Sequence, residues 1–248
     1  MISVQNEIIK AVEREKIVVI VRGVPSEKLI PLAEAMYDGG IRLLEITYSA
    51  SGIPSDEVTA ENIKALCSHF KEVGKTDMHI GAGTVLTVEQ VALTKAVGGE
   101  FIISPDTCPD VIKKTKELGL VSMPGSYTPS EIRIAHLAGA DFVKVFPAVS
   151  LGASYIKAVK APLSNIKLLA VGGINENYMS EYLAAGASGF GIGGKKQIKD
   201  AMCTLLKHVC GDKKEVIAAS AEAVERSTSL GMIKIYEQAC CLTDPKHD

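Results

Sequence analysis

Along most of the chain, short apolar runs alternate with amphipathic stretches. The runs are KIVVIVRG (16–23), IRLLEIT (41–47), HIGAGT (79–84), EFIISP (100–105), LVSMPG (120–125), DFVKVFP (141–147), IKLLAVGG (166–173) and SGFGIGG (188–194). Each is rich in Val, Ile or Leu and closes on Gly, Pro, Thr or Ser, which reads as a strand buried on both faces. Between them lie helical patterns such as SEKLIPLAEAMYDGG, TVEQVALTKAVGG, CPDVIKKTKELG and TPSEIRIAHLAGA. Many open on a Ser, Thr, Asp or Asn cap and stop at Gly.

Eight strand-then-helix units predict an α/β fold, a (β/α)8 TIM barrel, with an extra N-terminal helix over about 2–14. An open doubly wound sheet is the alternative, although no G-x-G-x-x-G follows the first strand. No linker rich in Pro, Gly or Ser interrupts the pattern. Residues 1–248 therefore read as one domain, with the barrel over about 16–210 and a helical C-terminal tail over about 211–248, its helix expected within 213–241.

Composition narrows the function classes. A formal net charge of −2 offers no basic field for nucleic acid or an anionic membrane, and there is no Trp to stack on bases. No apolar run reaches the ~18 residues a membrane span needs, and the charged N-terminus lacks a signal-peptide core. None of the six cysteines forms a C-x-x-C pair and no His lies at zinc-ligand spacing. Reduced thiols in the cytoplasm are the expectation, with no metal and no cofactor.

In a barrel, chemistry sits where strands end. The strand ends offer Arg22, Glu45 with Thr47, Thr84, Ser104-Pro105, Pro124-Gly125-Ser126, Lys144, Gly172-Gly173 and Gly193-Gly194. Lys144 stands out, because Val143, Val145, Phe142 and Phe146 surround it with apolar neighbours and a permanent ammonium there is costly. By strand alternation it shares a face with Phe142 and Phe146. An inward lysine has its charged form disfavoured, which makes a nucleophilic amine accessible near neutral pH. Glu45, inside Leu43-Leu44-Glu45-Ile46, is in a similar setting and suits proton transfer. The competing reading is a buried structural ion pair between them. The Gly-Gly pairs after strands seven and eight read as a phosphate site at helix N-termini or as plain tight turns; Lys195 would add charge.

LEIT (44–47), GAGTVL (81–86), ISP (103–105), PGSYTPSE (124–131), VKVFPA (143–148) and AVGGI (170–174) occur in one order. In these motifs the chain resembles the class I aldolase family of 2-keto-3-deoxy-6-phosphogluconate (KDPG) and 4-hydroxy-2-oxoglutarate (KHG) aldolases, over roughly residues 10–200. The resemblance implies a metal-free homotrimer that reversibly cleaves a 2-keto-4-hydroxy acid to pyruvate and an aldehyde. It implies Lys144 as the Schiff-base lysine and Glu45 as an acid/base working through a water. Thr84, Pro124 and Gly125 would lie around the pyruvate moiety, with Arg22 on a carboxylate and Thr47 at the adjacent strand end. Gly172, Gly173, Gly193 and Gly194 would form the phosphate turns.

Three positions depart from the phosphogluconate-type pattern. Ser49 stands where an arginine is common, Val171 replaces a threonine, and Lys195 replaces a serine. The identity of the aldehyde and the configuration at C4 are left open by these changes. A sugar-phosphate isomerase or epimerase on the same barrel is the alternative, as is a binding barrel without catalysis. His79, at the start of the third strand, reads as structural, and Cys108 as a helix-start residue.

Overall fold

The computed structural model describes residues 4–193. Gly194, Lys195 and the expected C-terminal helix lie outside the described residues. Nine parallel strands alternate with helices. They run α1 (Val4–Glu15), β1 (Ile17–Val21), α2 (Ser26–Asp38), β2 (Leu43–Thr47), α3 (Asp56–Glu72), β3 (His79–Gly83), α4 (Val88–Ala96), β4 (Phe101–Ile103) and α5 (Pro109–Glu117). Then follow β5 (Val121–Met123), β6 (Gly125–Ser126), α6 (Pro129–Leu137), β7 (Val143–Val145), a 3-10 turn (Ala148–Ser150), α7 (Gly152–Lys160), β8 (Leu168–Val171), α8 (Glu176–Ala184) and β9 (Gly189–Ile192).

The expected eight strands are nine because the fifth run breaks at Pro124, which has no N–H to give to a ladder. β5 pairs with β4 on one side, and β6 pairs with β7 on the other. Three bonds complete the ring: Phe142 N–H to Ser122 O at 3.2 Å, Lys144 N–H to Pro124 O at 2.8 Å, and Phe146 N–H to Ser126 O at 3.0 Å. With the sheet order β5-β4-β3-β2-β1-β9-β8-β7-β6, this is a (β/α)8 barrel whose fifth strand is bent. The open-sheet alternative is ruled out.

Alternation along the strands sorts the core into two shells. One parity, including Val19, Leu44, Ile46, Ile80, Ile102, Val143 and Leu168, packs outward against the helices. The other, including Val18, Leu43, Phe101, Val121, Phe142 and Leu169, fills the barrel. At about 1.5–3 kcal/mol for each large apolar side chain buried, both shells are strong drives to this register. A one-residue slip of any strand would exchange them.

Helix α1 closes one end. Its Ile8, Ala11 and Val12 are buried with Val18, Leu43, Phe101, Val121 and Phe142, all near strand N-termini, and Gln5 Nε2 donates to Leu120 O at 3.1 Å. The strand C-termini are left as the working face. Local chemistry fixes where helices begin there: Thr87 with Gln90, and Thr128 with Glu131, form reciprocal capping boxes that start α4 and α6 just beyond β3 and β6. Cys108 is the residue before Pro109 at the start of α5 and makes no side-chain cap bond. His79 sits at the opposite end of β3, with Nδ1 2.6 Å from Glu100 Oε2, a structural contact far from the strand C-termini.

Candidate active site

Glu45 and Lys144 come from strands on different sides of the barrel and meet in its interior. Both are buried, at 2 % and 7 % exposed. They line one small cavity with Val18, Ile103, Met123, Leu169, Val171 and Gly191. It has room for about one water molecule. Among the described residues, no ion pair within 4.0 Å joins the two side chains, and no hydrogen bond holds either head. Among the described residues, no fully enclosed side-chain N or O is without a partner, so both heads reach the cavity. A structural salt bridge would need the contact that is missing here.

The apolar walls act on the two groups in opposite senses. Burial pushes the Glu45 carboxyl up to about 7, partly opposed by the positive charges of Lys144 and Arg22. Burial also lowers the Lys144 ammonium below its ordinary value; Glu45 and Asp106 counter this and Arg22 adds to it. The Lys144 nitrogen lies 4.7 Å from the centre of the Phe146 ring, a cation–π distance. Phe142 and Phe146 flank it on the same parity, as alternation requires.

Of the other predicted site residues only Val171 lines this cavity, while Arg22 acts on both groups through its charge; Thr47, Thr84, Pro124, Gly125, Gly172, Gly173 and Gly193 are not among its lining residues. Arg22 Nη2 donates to Thr84 Oγ1 at 3.0 Å. Thr84 has φ 55°, a left-handed conformation that is costly for a β-branched residue. Thr47 is nearly buried and its hydroxyl donates weakly to Val21 O, at 3.4 Å. Pro124 O and Gly125 are hydrogen-bonded or paired to Lys144 through the backbone. Thr107 ties down that segment, donating to Gly125 O at 2.6 Å and lying 2.7 Å from Ser126 Oγ. Ser49 is half-buried and hydrogen-bonds Ser51 Oγ at 2.9 Å.

Gly172 and Gly173 form the turn after β8, with φ 92° and 75°. A Cβ at Gly172 would lie 2.9 Å from the Phe146 ring, and one at Gly173 would lie 2.4 Å from Val149 Cγ1. The pair is thus demanded by the turn itself, independently of any anion. Gly193 is the last described residue, beside Ile20.

Asp106 was not among the strand-end candidates, although it directly follows Pro105, and its charge acts on Lys144. The apolar cavity walls Ile103 and Met123 also escaped, because a wall residue is indistinguishable in sequence from any core position. Among the described residues, no group of three or more His, Cys, Asp or Glu side chains is placed to hold a metal. No described helix is long and apolar enough to cross a membrane.

Known proteins resemble this chain in sequence and fold. The family model for KDPG and KHG aldolases matches residues 8–207. A probable 2-dehydro-3-deoxy-6-phosphogalactonate aldolase of Rhizobium meliloti is 36% identical over 71% of this chain and 79% of its own. A 2-dehydro-3-deoxy-phosphogluconate aldolase of Haemophilus influenzae is 33% identical over 72% of this chain and 80% of its own. A solved structure described as native KDPGal superposes with a TM-score of 0.65 at 29% identity, covering 87% of this chain and 94% of that one. Fold and sequence likeness agree, and the chain belongs to the KDPG and KHG aldolase family.

Proposed function

We propose that this chain is a class I aldolase that reversibly cleaves a 2-keto-4-hydroxy acid, with Lys144 as the imine-forming amine and Glu45 as the acid/base. The observation that carries this reading is the pair itself: a lysine and a carboxylate on one cavity, in apolar walls, without contact between them. The neutral Lys144 amine adds to the C2 carbonyl, and the carbonyl π pair moves to oxygen, which takes a proton. Loss of that oxygen as water leaves a protonated imine. A base then removes the C4 hydroxyl proton; the C3–C4 bond breaks, its electron pair flows to the iminium nitrogen, and an aldehyde departs. Protonation at C3 converts the enamine back to an imine, and water releases pyruvate and the free amine.

A carboxyl held at about 7 exists in both forms near neutrality, so Glu45 can give and take the protons of these steps. Arg22, supported by Thr84, would hold the substrate carboxylate by charge-assisted hydrogen bonds, with Thr47, Pro124 and Gly125 shaping the pyruvate end. Gly172, Gly173, Gly193 and Gly194 would bring backbone N–H groups to a phosphate. Val171 presents methyl groups where a hydroxyl would reach the substrate's own hydroxyl.

The favoured substrate class is a 2-dehydro-3-deoxy-6-phospho sugar acid, giving pyruvate and glyceraldehyde 3-phosphate, with 4-hydroxy-2-oxoglutarate, giving glyoxylate, as the shorter relative. Family likeness supports a homotrimer working in the cytoplasm. The isomerase or epimerase alternative finds no support among the curated relatives named above, all of them aldolases. The test is reductive trapping with pyruvate and borohydride, followed by peptide mass analysis. A pyruvate-derived adduct on Lys144 is expected; an unmodified Lys144 in folded protein, with the trap working on a control aldolase, would reject the reading.

A further inference from the structure

Strand β3 carries two inward glycines, and they hold different things. A Cβ on Gly81 would lie 2.3 Å from the Phe101 ring, so this gap serves the core. A Cβ on Gly83 would lie 1.6 Å from Glu45 Oε1, 2.2 Å from its Cδ and 2.3 Å from its Cγ, and these are its three nearest atoms. Neither glycine has the positive φ that would require glycine for backbone reasons. The register pairs Glu45 with Gly81 and Thr47 with Gly83. The Glu45 side chain therefore leans from its own position toward the strand C-termini, into the space that Gly83 leaves. Among the described residues no hydrogen bond fixes that carboxyl. What faces it on β3 is the space that Gly83 leaves.

We propose that Gly83 is a positioning residue for proton transfer: its missing side chain is the slot that seats the Glu45 carboxyl on the cavity shared with Lys144. The inference rests on the aldolase reading above and gives it a detail of its own. The three atoms nearest a methyl group at 83 all belong to the Glu45 side chain, so the carboxyl is the part expected to move.

The experiment compares Gly83→Ala with the natural full-length chain in two assays with pyruvate. Borohydride trapping reads imine formation at Lys144, and exchange of the pyruvate methyl protons in D2O reads proton transfer at C3. Gly83→Ala is expected to reach the same final extent of trapping, though more slowly, while exchange falls by about 100-fold or more, and kcat for keto-acid cleavage falls with KM unchanged. Exchange and trapping both at natural levels would overturn the proposal. If the natural chain neither traps nor exchanges pyruvate, the aldolase assignment fails, and this inference with it. If Gly83→Ala does not fold, the change is made in a Glu45→Ala background, where the slot is empty. Recovery of folding there supports the assignment of the slot to Glu45, and failure to fold there overturns it.

Discussion

Replacing Glu45 by glutamine keeps the shape of the side chain and removes its charge, which makes the cost of burying that charge measurable. Burial raises the carboxyl from 4.5 to about 7, and a rise of that size corresponds to about 3 kcal/mol between folded and unfolded states. The sign follows from which state holds the proton. Below about pH 4.5 both states carry a neutral Glu45 and nothing is lost. As pH rises toward 7 the unfolded chain ionises while the folded one keeps its proton, so folding is progressively disfavoured. Above about 7 the whole loss is present. A glutamine suffers none of it, so Glu45→Gln gains on the natural chain as pH rises from about 4.5 through 7. In a chain of this size the gap is about 6–12 °C in Tm. Thermal unfolding of both proteins at half-unit steps from pH 4 to 8 measures it, and taking the difference cancels groups distant from the site. Lys144 and Arg22, the cations that favour the Glu45 carboxylate, are present in both proteins. A gap that is flat across this range, or that favours the natural chain as pH rises, would refute the desolvation argument. Turnover should move the other way, falling about 100- to 10,000-fold, so the stabilised variant is the disabled one.

Lys144→Met is expected to fold with a Tm no lower than the natural chain, since it removes a desolvated ammonium, and to lose cleavage and trapping; residual turnover near the natural level in a steady-state assay would exclude Lys144 as the nucleophile. Asp106→Asn removes a negative charge that favours the ammonium form of Lys144, so the acid limb of imine formation should move to lower pH; a pH–rate profile of trapping that shifts upward or stays still contradicts this. Thr128→Ala removes the hydroxyl half of the α6 capping box and should cost about 1 kcal/mol, or about 2–4 °C in Tm, with cleavage kinetics retained; an unchanged melting curve would show that the cap contributes nothing.

How much of this was readable in advance depended on whether the information is local. Alternation along a single strand puts Lys144 on the face of Phe142 and Phe146 without knowledge of any other strand, and the capping residues Thr87 and Thr128 announce their helices within four positions. The break at Pro124 is local too, but its result, one predicted strand serving two neighbours, emerges only once β4 and β7 are in place. The slot at Gly83 is wholly non-local: nothing in GAGT says that the carboxyl of a residue 38 positions earlier fills it. Asp106 follows the same logic, since a charge is felt through space and not along the chain. In sequence the Gly172-Gly173 pair reads equally as an anion site or a tight turn, and the contacts a Cβ would make with Phe146 and Val149 supply a full reason for the turn by themselves.

Helix α1 seals the barrel at the strand N-termini, and a vessel with one mouth imposes an order on what leaves it. Under the proposed reaction, the three carbons that become pyruvate are anchored to Lys144 deep in the interior, while the aldehyde fragment lies outermost. The aldehyde must clear the mouth before water can finish the other half. In the reverse direction pyruvate must enter and be captured before the aldehyde can follow, so the two fragments cannot exchange places in the queue.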